Sequence, residues 1–355
     1  MCSSEGVMRS VFIATAAVAA LFSLGHGVRA AGTAAIYSVR DVGTLGGERT
    51  TPMGINNRGA VVGFSDTADG LTRGFLYGSG SLVDLGTLGG DESIAYRIND
   101  DGMIVGRAQD ASGRFHAFVT TMNGSVIELS SLDPRADGDY GAALGINGAG
   151  DVVGYYTTAG EHMTARNRVF LYRDFVVRDV GTFGAEDGVV VAINDAGSMA
   201  GFFSFQPHAD YAQHSSFLLT AGKLVPIGSL GGQLTTARDL NNRQEVVGDG
   251  DTGGGDHQAF LFAGGQLRNL GTLPDGRQSA AYAINNRGDI VGFSDDRSGS
   301  ARAIIISGGV MRDLNALIAP DSGWVLTHAR DINDAGAIVG SGWFNGEQRG
   351  FLLTP

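Results

Sequence analysis

One cysteine, one lysine and seven prolines are all that 355 residues contain of those types. The cysteine, Cys2, stands ahead of an apolar run, so the remainder of the chain has no disulfide staple, no thiolate nucleophile and no cysteine metal site. Lys223 is the single lysine, and acidic residues outnumber basic ones 37 to 25, for a formal net charge of −12. That balance argues against nucleic acid or an anionic membrane as the main partner, since both require cationic patches. No G-x-S-x-G elbow and no H-E-x-x-H pair occurs, and no capped window of helical period follows the apolar run. What the chain has in excess is glycine, 57 residues spaced along its length. That is about twice the usual share and implies many tight turns.

Arg9, the apolar run "VFIATAAVAALFSLG" and the boundary "HGVRAAG" form a secretory signal pattern, with Val28 and Ala30 at the −3 and −1 positions. The run is short for a span of ~20 residues. Residues 1–30 are therefore expected to be removed, leaving a domain at 31–355 that is secreted or periplasmic, without a transmembrane segment, and a monomer. The mature charge would be (25 − 2) − (37 − 1) = −13.

The phrase "INDDGMIVG" recurs in near-copy. Its motif asparagines are Asn56, Asn99, Asn147, Asn194, Asn241, Asn285 and Asn333, at a period of about 46 residues. Two further elements recur in phase, one typified by "DLGTLGG" and one by "AFLF", each in seven copies. Within one period the order is L-x-D-L-G, S-x-A-x-x-I-N, x-V-V-G, A-F-L-Y: four short β-branched or aromatic segments bounded by glycine or polar clusters. Four strands per 40–45 residues is the spacing of a propeller blade. The expected fold is all-β, a seven-bladed β-propeller. Its first segment, "IYSVRDVG", and its last, "GFLLTP", are complementary parts of one blade, so pairing of the N- and C-terminal strands would close the ring.

His116-Ala117-Phe118, the near-copy "HQAF" at 257–260 and the recurring "DLGTLGG…AxxIN…VVG" phrasing resemble the bacterial extracellular proteins with HAF repeats, over roughly residues 36–355. Most copies carry Arg, Ser or Val where the tripeptide has His. The resemblance implies an exported repeat protein and supplies no catalytic residue.

The I-N-[ND]-x-G motif could be a calcium loop or a hairpin turn. Calcium loops place several carboxylates at alternating positions with a bidentate acid further on. Here the second position is Gly148, Asn57, Asn242 or Asn286 in four copies, and no acid follows at a fixed offset. As a turn, the asparagine accepts a local backbone hydrogen bond and the fourth residue is a glycine in the left-handed conformation. Gly59, Gly102, Gly150, Gly197, Gly288 and Gly336 obey, and Gln244 departs. The turn is the better reading. D-L-G-T-L-G-G lacks the following helix and lysine of a phosphate loop. "DGDTGGGD" comes nearest to a calcium site, through Asp249, Asp251 and Asp256, and calcium is the one cofactor left open.

Connection lengths carry more information. From the V-V-G glycine to the next strand's aromatic, the third and fourth repeats are four residues longer than the first two, and the D-L-G to asparagine stretch is extended in the third and seventh. Alternate connections of a meander share a face, so these insertions lie together, where ligands are expected. Glu161, His162, Arg166, His208, Asp210, Tyr211 and His214 form the candidate ligand set. The leading expectation is a binding or scaffold module for a glycan, metal or protein ligand. A polysaccharide hydrolase or lyase using loop carboxylates and histidines, and a purely structural surface protein, are the alternatives.

Overall fold

The computed structural model describes residues 36–129, 140–158, 166–182, 184–185, 187–205 and 213–355. The expected signal peptide lies outside the described residues. The described chain is all-β, with the single 3-10 turn Leu314–Leu317 as its helical content. No helix among the described residues is long and apolar enough to cross a membrane.

Within the first full repeat the strands Gly46–Ile55, Val61–Thr67, Thr72–Gly78 and Ser81–Asp84 pair antiparallel in chain order. The same order recurs through five four-stranded sheets and one eight-stranded sheet, the latter being two four-stranded units joined by one parallel pair, His214 with Leu234. The sheet formed by Trp324–Ile332, Ile338–Phe344 and Glu347–Thr354 takes its fourth strand from the other end of the chain. Ser38–Asp41 pairs antiparallel with Glu347–Thr354, and the Ser38 and Thr354 hydroxyls meet at 2.6 Å.

The V-V dipeptide shows why the repeats need one another. Successive strand residues point to opposite faces, so Val61 joins a core with Phe75, Val339 and Leu352, while Val62 joins one with Ala95, Ile104 and Phe118. Among the described residues there are seven such clusters, each uniting consecutive repeats, and one unites the last with the first. A single sheet leaves both apolar faces wet; a neighbour on each side buries them. Fully burying one such Val or Phe stabilises by about 1.5–3 kcal/mol.

The glycine after V-V has a steric cause rather than a conformational one. Each inner strand carries a one-residue bulge ahead of the motif asparagine, between Pro52 and Gly54, Ala95 and Arg97, and likewise in the other five repeats. The bulge brings an inner-strand carbonyl against the second strand. A Cβ on Gly106 would lie 2.0 Å from the Ile94 oxygen, and one on Gly154 2.0 Å from the Ala142 oxygen. The third-strand aromatic, Phe118 in the second repeat, packs into the space left free.

D-x-G-T-x-G is two side-chain-capped turns in succession. The Asp84 carboxylate accepts from the Gly86 N–H at 2.7 Å, and the Thr87 hydroxyl accepts from the Gly89 N–H at 3.2 Å. The serine that opens the next inner strand then ties sheets together. Ser93 Oγ donates to the Gly86 carbonyl at 2.6 Å and accepts from the Gly74 N–H at 2.9 Å.

Two substitutions test these local arguments by urea unfolding. Gly106→Ala should cost on the order of 1–3 kcal/mol, as overpacking does. Gln244, held at φ +61°, should gain about 1 kcal/mol when changed to glycine. A neutral Gly106→Ala would contradict the close-approach argument.

Candidate functional site

The seven motif asparagines are buried and face one axis. Each side-chain oxygen caps its own turn: Asn99 Oδ1 accepts from the N–H groups of Asp101 at 3.1 Å and Met103 at 2.9 Å. Each side-chain amide donates to the backbone carbonyl of the next motif asparagine. The order runs Asn56 to Asn99, Asn147, Asn194, Asn241, Asn285, Asn333 and back to Asn56, every bond 3.0–3.1 Å. A second, more exposed set lies outside the first. The Asp100 carboxylate accepts from the Asn57 N–H at 2.8 Å, Asp195 from Gly148, Asn242 from Asp195, Asn286 from Asn242, Asp334 from Asn286 and Asn57 from Asp334. It is interrupted at Gly148, which has no side chain. This end of the axis, a 220 Å³ cavity, is lined largely by groups already bonded to one another.

The inner strand of each repeat is the one that ends in I-N, which the sequence alone leaves open. Its bulge sends two consecutive side chains to the axis, as bulges commonly re-aim side chains beside functional sites. The residue two before the asparagine is small in four repeats and is Arg97, Asp239 and Asp331 in the others. Arg97 donates to the Met53 carbonyl at 2.9 Å. Asp239 accepts from the Ile284 N–H at 2.8 Å, and Asp331 accepts from the N–H groups of Ile55 and Ile332, both at 2.9 Å. Burial raises the Asp331 carboxyl to about 6, with Arg97 opposing and Asp239 adding to the rise. Asp239 is raised for the same first reason, burial.

The residue three before the asparagine faces the other way along the axis. Here Met53, Tyr96, Leu144, Val191, Arg238, Tyr282 and Arg330, with Phe202 from a second strand, line a funnel of 280 Å³. The inner strands run from the variable connections toward the asparagine turns, so this funnel opens on the variable-connection side. Arg238 and Arg330 both lie over the Tyr282 ring, at 5.3 and 4.7 Å from its centre. Arg238 is paired with Asp249, which also meets His257 Nε2 at 2.5 Å. The Arg330 side chain faces no acid among the described residues, and its Nε is buried without an acceptor. His328 stacks against Phe293 and Tyr282, and burial, then the Arg330 charge, lowers it to about 4. Beyond Met53 and Arg330 the funnel continues into a 770 Å³ cleft between the last and first repeats, bordered by Arg49, Phe64, Ser341 and Trp343.

Of the loop set expected from sequence, Glu161, His162, His208, Asp210 and Tyr211 lie outside the described residues. Arg166 is exposed on a strand, opposite Thr158. His214 stacks on Phe202 at 4.8 Å, behind the funnel wall, where burial lowers its pKa. The calcium candidates are each engaged by a basic side chain: Asp249 by Arg238 and His257, Asp251 by His257 Nδ1 at 2.8 Å, Asp256 by Arg277 at 2.8 Å. Among the described residues no group of three or more His, Cys, Asp or Glu side chains could hold a metal ion. His116 of the His-Ala-Phe tripeptide is held between Asp110 and Glu128, both at 3.0 Å. The funnel residues were missed because they occupy the unassigned positions inside constant motifs. The signal that finds them is variation three residues before the motif asparagine, where Met53, Tyr96, Leu144, Val191, Arg238, Tyr282 and Arg330 stand in turn.

No family model matches the chain, and no curated protein matches it. Solved structures do. The β-propeller domain of the Trilobed protease from Pyrococcus furiosus, described as having an open velcro topology, is 12% identical, with a TM-score of 0.55 over 90% of this chain and 94% of that one. A puromycin-hydrolysing peptidase of Mycobacterium tuberculosis is 13% identical, with a TM-score of 0.54 over 85% of this chain and 51% of that one. This chain therefore spans about half of the peptidase's length. A puromycin hydrolase S511A mutant complexed with PGG is 11% identical, with a TM-score of 0.52 over 87% and 54%. At such identities the likeness concerns the fold alone.

The fold is a β-propeller. The four-stranded sheets are its blades, and the funnel is the mouth of its axis.

The buried axial carboxylate gives this site a pH signature. Asp331 keeps its proton to a higher pH folded than unfolded, so the native state binds more protons between about pH 4 and its folded pKa of about 6. Its contribution to stability is therefore lost as pH rises through that window. Asp331→Asn keeps an acceptor for the Ile55 N–H and should flatten this loss. Its stability relative to wild type should be higher at pH 7 than at pH 4 by on the order of 1–3 kcal/mol in urea unfolding. An offset that does not change with pH would contradict the buried ionisation.

Proposed function

We propose that the chain is an exported seven-bladed propeller, closed between its terminal strands, that acts as a binding module with its ligand in the axial funnel on the variable-connection side. Closure is supported by the pairing of Ser38–Asp41 with Glu347–Thr354, by the core shared between the last and first repeats, and by the Asn333 to Asn56 bond. Export is supported by the signal pattern at residues 1–30 and by the resemblance to HAF-repeat extracellular proteins.

One contrast carries the functional reading. The asparagine end of the axis is lined by backbone, amide and carboxylate groups and Arg97, most of them bonded to one another, whereas the funnel end presents tyrosine faces and an arginine whose Nε has no acceptor. Concave sites with aromatic walls and a few unsatisfied polar groups are where small ligands bind. Cleavage of a polysaccharide would require two available carboxylates, and Asp249, the acid that meets Arg238, is already bonded to Arg238 and His257. Binding is thus favoured over glycoside hydrolysis.

Thermal-shift screening of the full chain with neutral and acidic oligosaccharides, Ca²⁺ and Zn²⁺ tests this, because a ligand of the native state raises its melting temperature. At least one should give a rise, lost in Met53→Trp, which narrows the funnel, and kept in Asn57→Ser at the opposite end. A rise that survives Met53→Trp would place the ligand elsewhere; no rise with any probe would contradict the binding reading for those ligand classes.

A further inference from the structure

The 770 Å³ cleft that leaves the funnel holds three arginines in different states. Arg49 faces Asp66 at 3.3 Å and Arg302 faces Asp296 at 2.8 Å. Arg330, at the junction of cleft and funnel, has no acid, and its buried Nε has no acceptor. A buried guanidinium N–H left unbonded is costly. Tyr282 stabilises the charge from one side through its ring face but supplies no acceptor in the plane of the fork. A planar anion would supply acceptors, and a carboxylate fits the terminal nitrogens of a guanidinium fork with two parallel hydrogen bonds.

The rest of the cleft identifies the body that would carry this carboxylate. Trp343 is 48% exposed with its ring on the cleft border. Thr51, Thr327 and Ser341 also line the cleft; Thr51 and Ser341 are buried, and the Thr327 hydroxyl donates to the Ser341 carbonyl at 2.9 Å. A half-exposed indole offers an apolar face for a pyranose ring. The chain's net charge of −12 disfavours a densely charged polyanion and suits a ligand with one charge at the anchor.

We propose that this cleft binds an oligosaccharide bearing a single carboxylate, one uronic-acid residue in an otherwise neutral chain, with the carboxylate on Arg330 and a neighbouring ring on Trp343. This rests on the funnel-side binding reading and sharpens it.

Calorimetric titration of the full chain with an aldotriouronic acid, which carries one carboxylate, its methyl ester and inorganic phosphate separates the cases. The acid should bind and the ester should bind about tenfold or more weakly, the loss expected for a hydrogen-bonded charge. Arg330→Gln should weaken the acid by a similar factor and leave the ester unchanged. Arg330→Lys, which keeps the charge without the fork, should fall between. Trp343→Ala should weaken acid and ester alike. Urea unfolding of each variant checks that it is folded, and an unfolded Arg330→Gln leaves the decision to Arg330→Lys and the ester. Ester binding equal to that of the acid, with both lost in Met53→Trp, would overturn the carboxylate assignment while leaving the funnel as the site. Acid binding that survives Met53→Trp and Arg330→Gln would overturn both readings. Phosphate competing at equal affinity would reduce the site to one for small anions, and absence of acid binding would overturn the inference outright.

Discussion

A primary amide has an acceptor and a donor at opposite ends, and this propeller uses both ends of the same amide in every repeat. The oxygen of each motif asparagine holds its own turn, while the nitrogen reaches the carbonyl of the next motif asparagine, 43 to 48 residues on or across the chain ends. Aspartate could cap such a turn equally well, and serine could cap it more weakly. Neither supplies the outgoing N–H in the same geometry at neutral pH, which accounts for asparagine standing in all seven copies. The bonds are buried, so a lost donor leaves a carbonyl unsatisfied where water does not replace it. The turns, the spacing of the inner strands and the narrowness of that end of the axis all follow from this one group.

The bulge that precedes each asparagine is the second constraint, and it connects the fold to the site. By placing one extra residue on the inner strand it presses a carbonyl onto the second strand, which only the V-V-G glycine admits. It also brings two neighbouring side chains to the axis, one toward each end. Most repeats fill the deeper of these positions with glycine or alanine; Arg97, Asp239 and Asp331 place charge there instead. The outer position supplies Tyr96, Arg238, Tyr282 and Arg330 to the funnel. A regular scaffold thus presents an irregular mouth, and the chemistry of that mouth is set by a few positions that the fold does not constrain.

Much of this architecture is legible in the sequence. Four strands per repeat, the hairpin with its left-handed glycine and the complementary chain ends can all be read from periodicity and turn chemistry, and Gln244 at φ +61° is the strained exception that the turn motif implies. The innermost strand is not legible, because every strand of a blade has an apolar face and a neighbour. The inter-repeat role of the asparagine amide is hidden for a related reason: its partner lies a whole repeat away, and local turn geometry already accounts for its oxygen. The funnel escapes because attention goes to loops that vary in length, whereas Arg238, Tyr282 and Arg330 vary only in identity, inside segments of constant length. His214 is the loop candidate that comes closest, through its contact with Phe202.

The closed amide cycle is the claim on which the rest depends, and it is tested most directly by urea unfolding of two matched variants. Asn99→Ser and Asn333→Ser each keep an oxygen to cap the turn and remove the outgoing donor, one within the chain and one across its ends. A closed cycle requires similar losses, each on the order of 1–3 kcal/mol. A loss for Asn99→Ser with none for Asn333→Ser would show that the last and first repeats are not joined in this way.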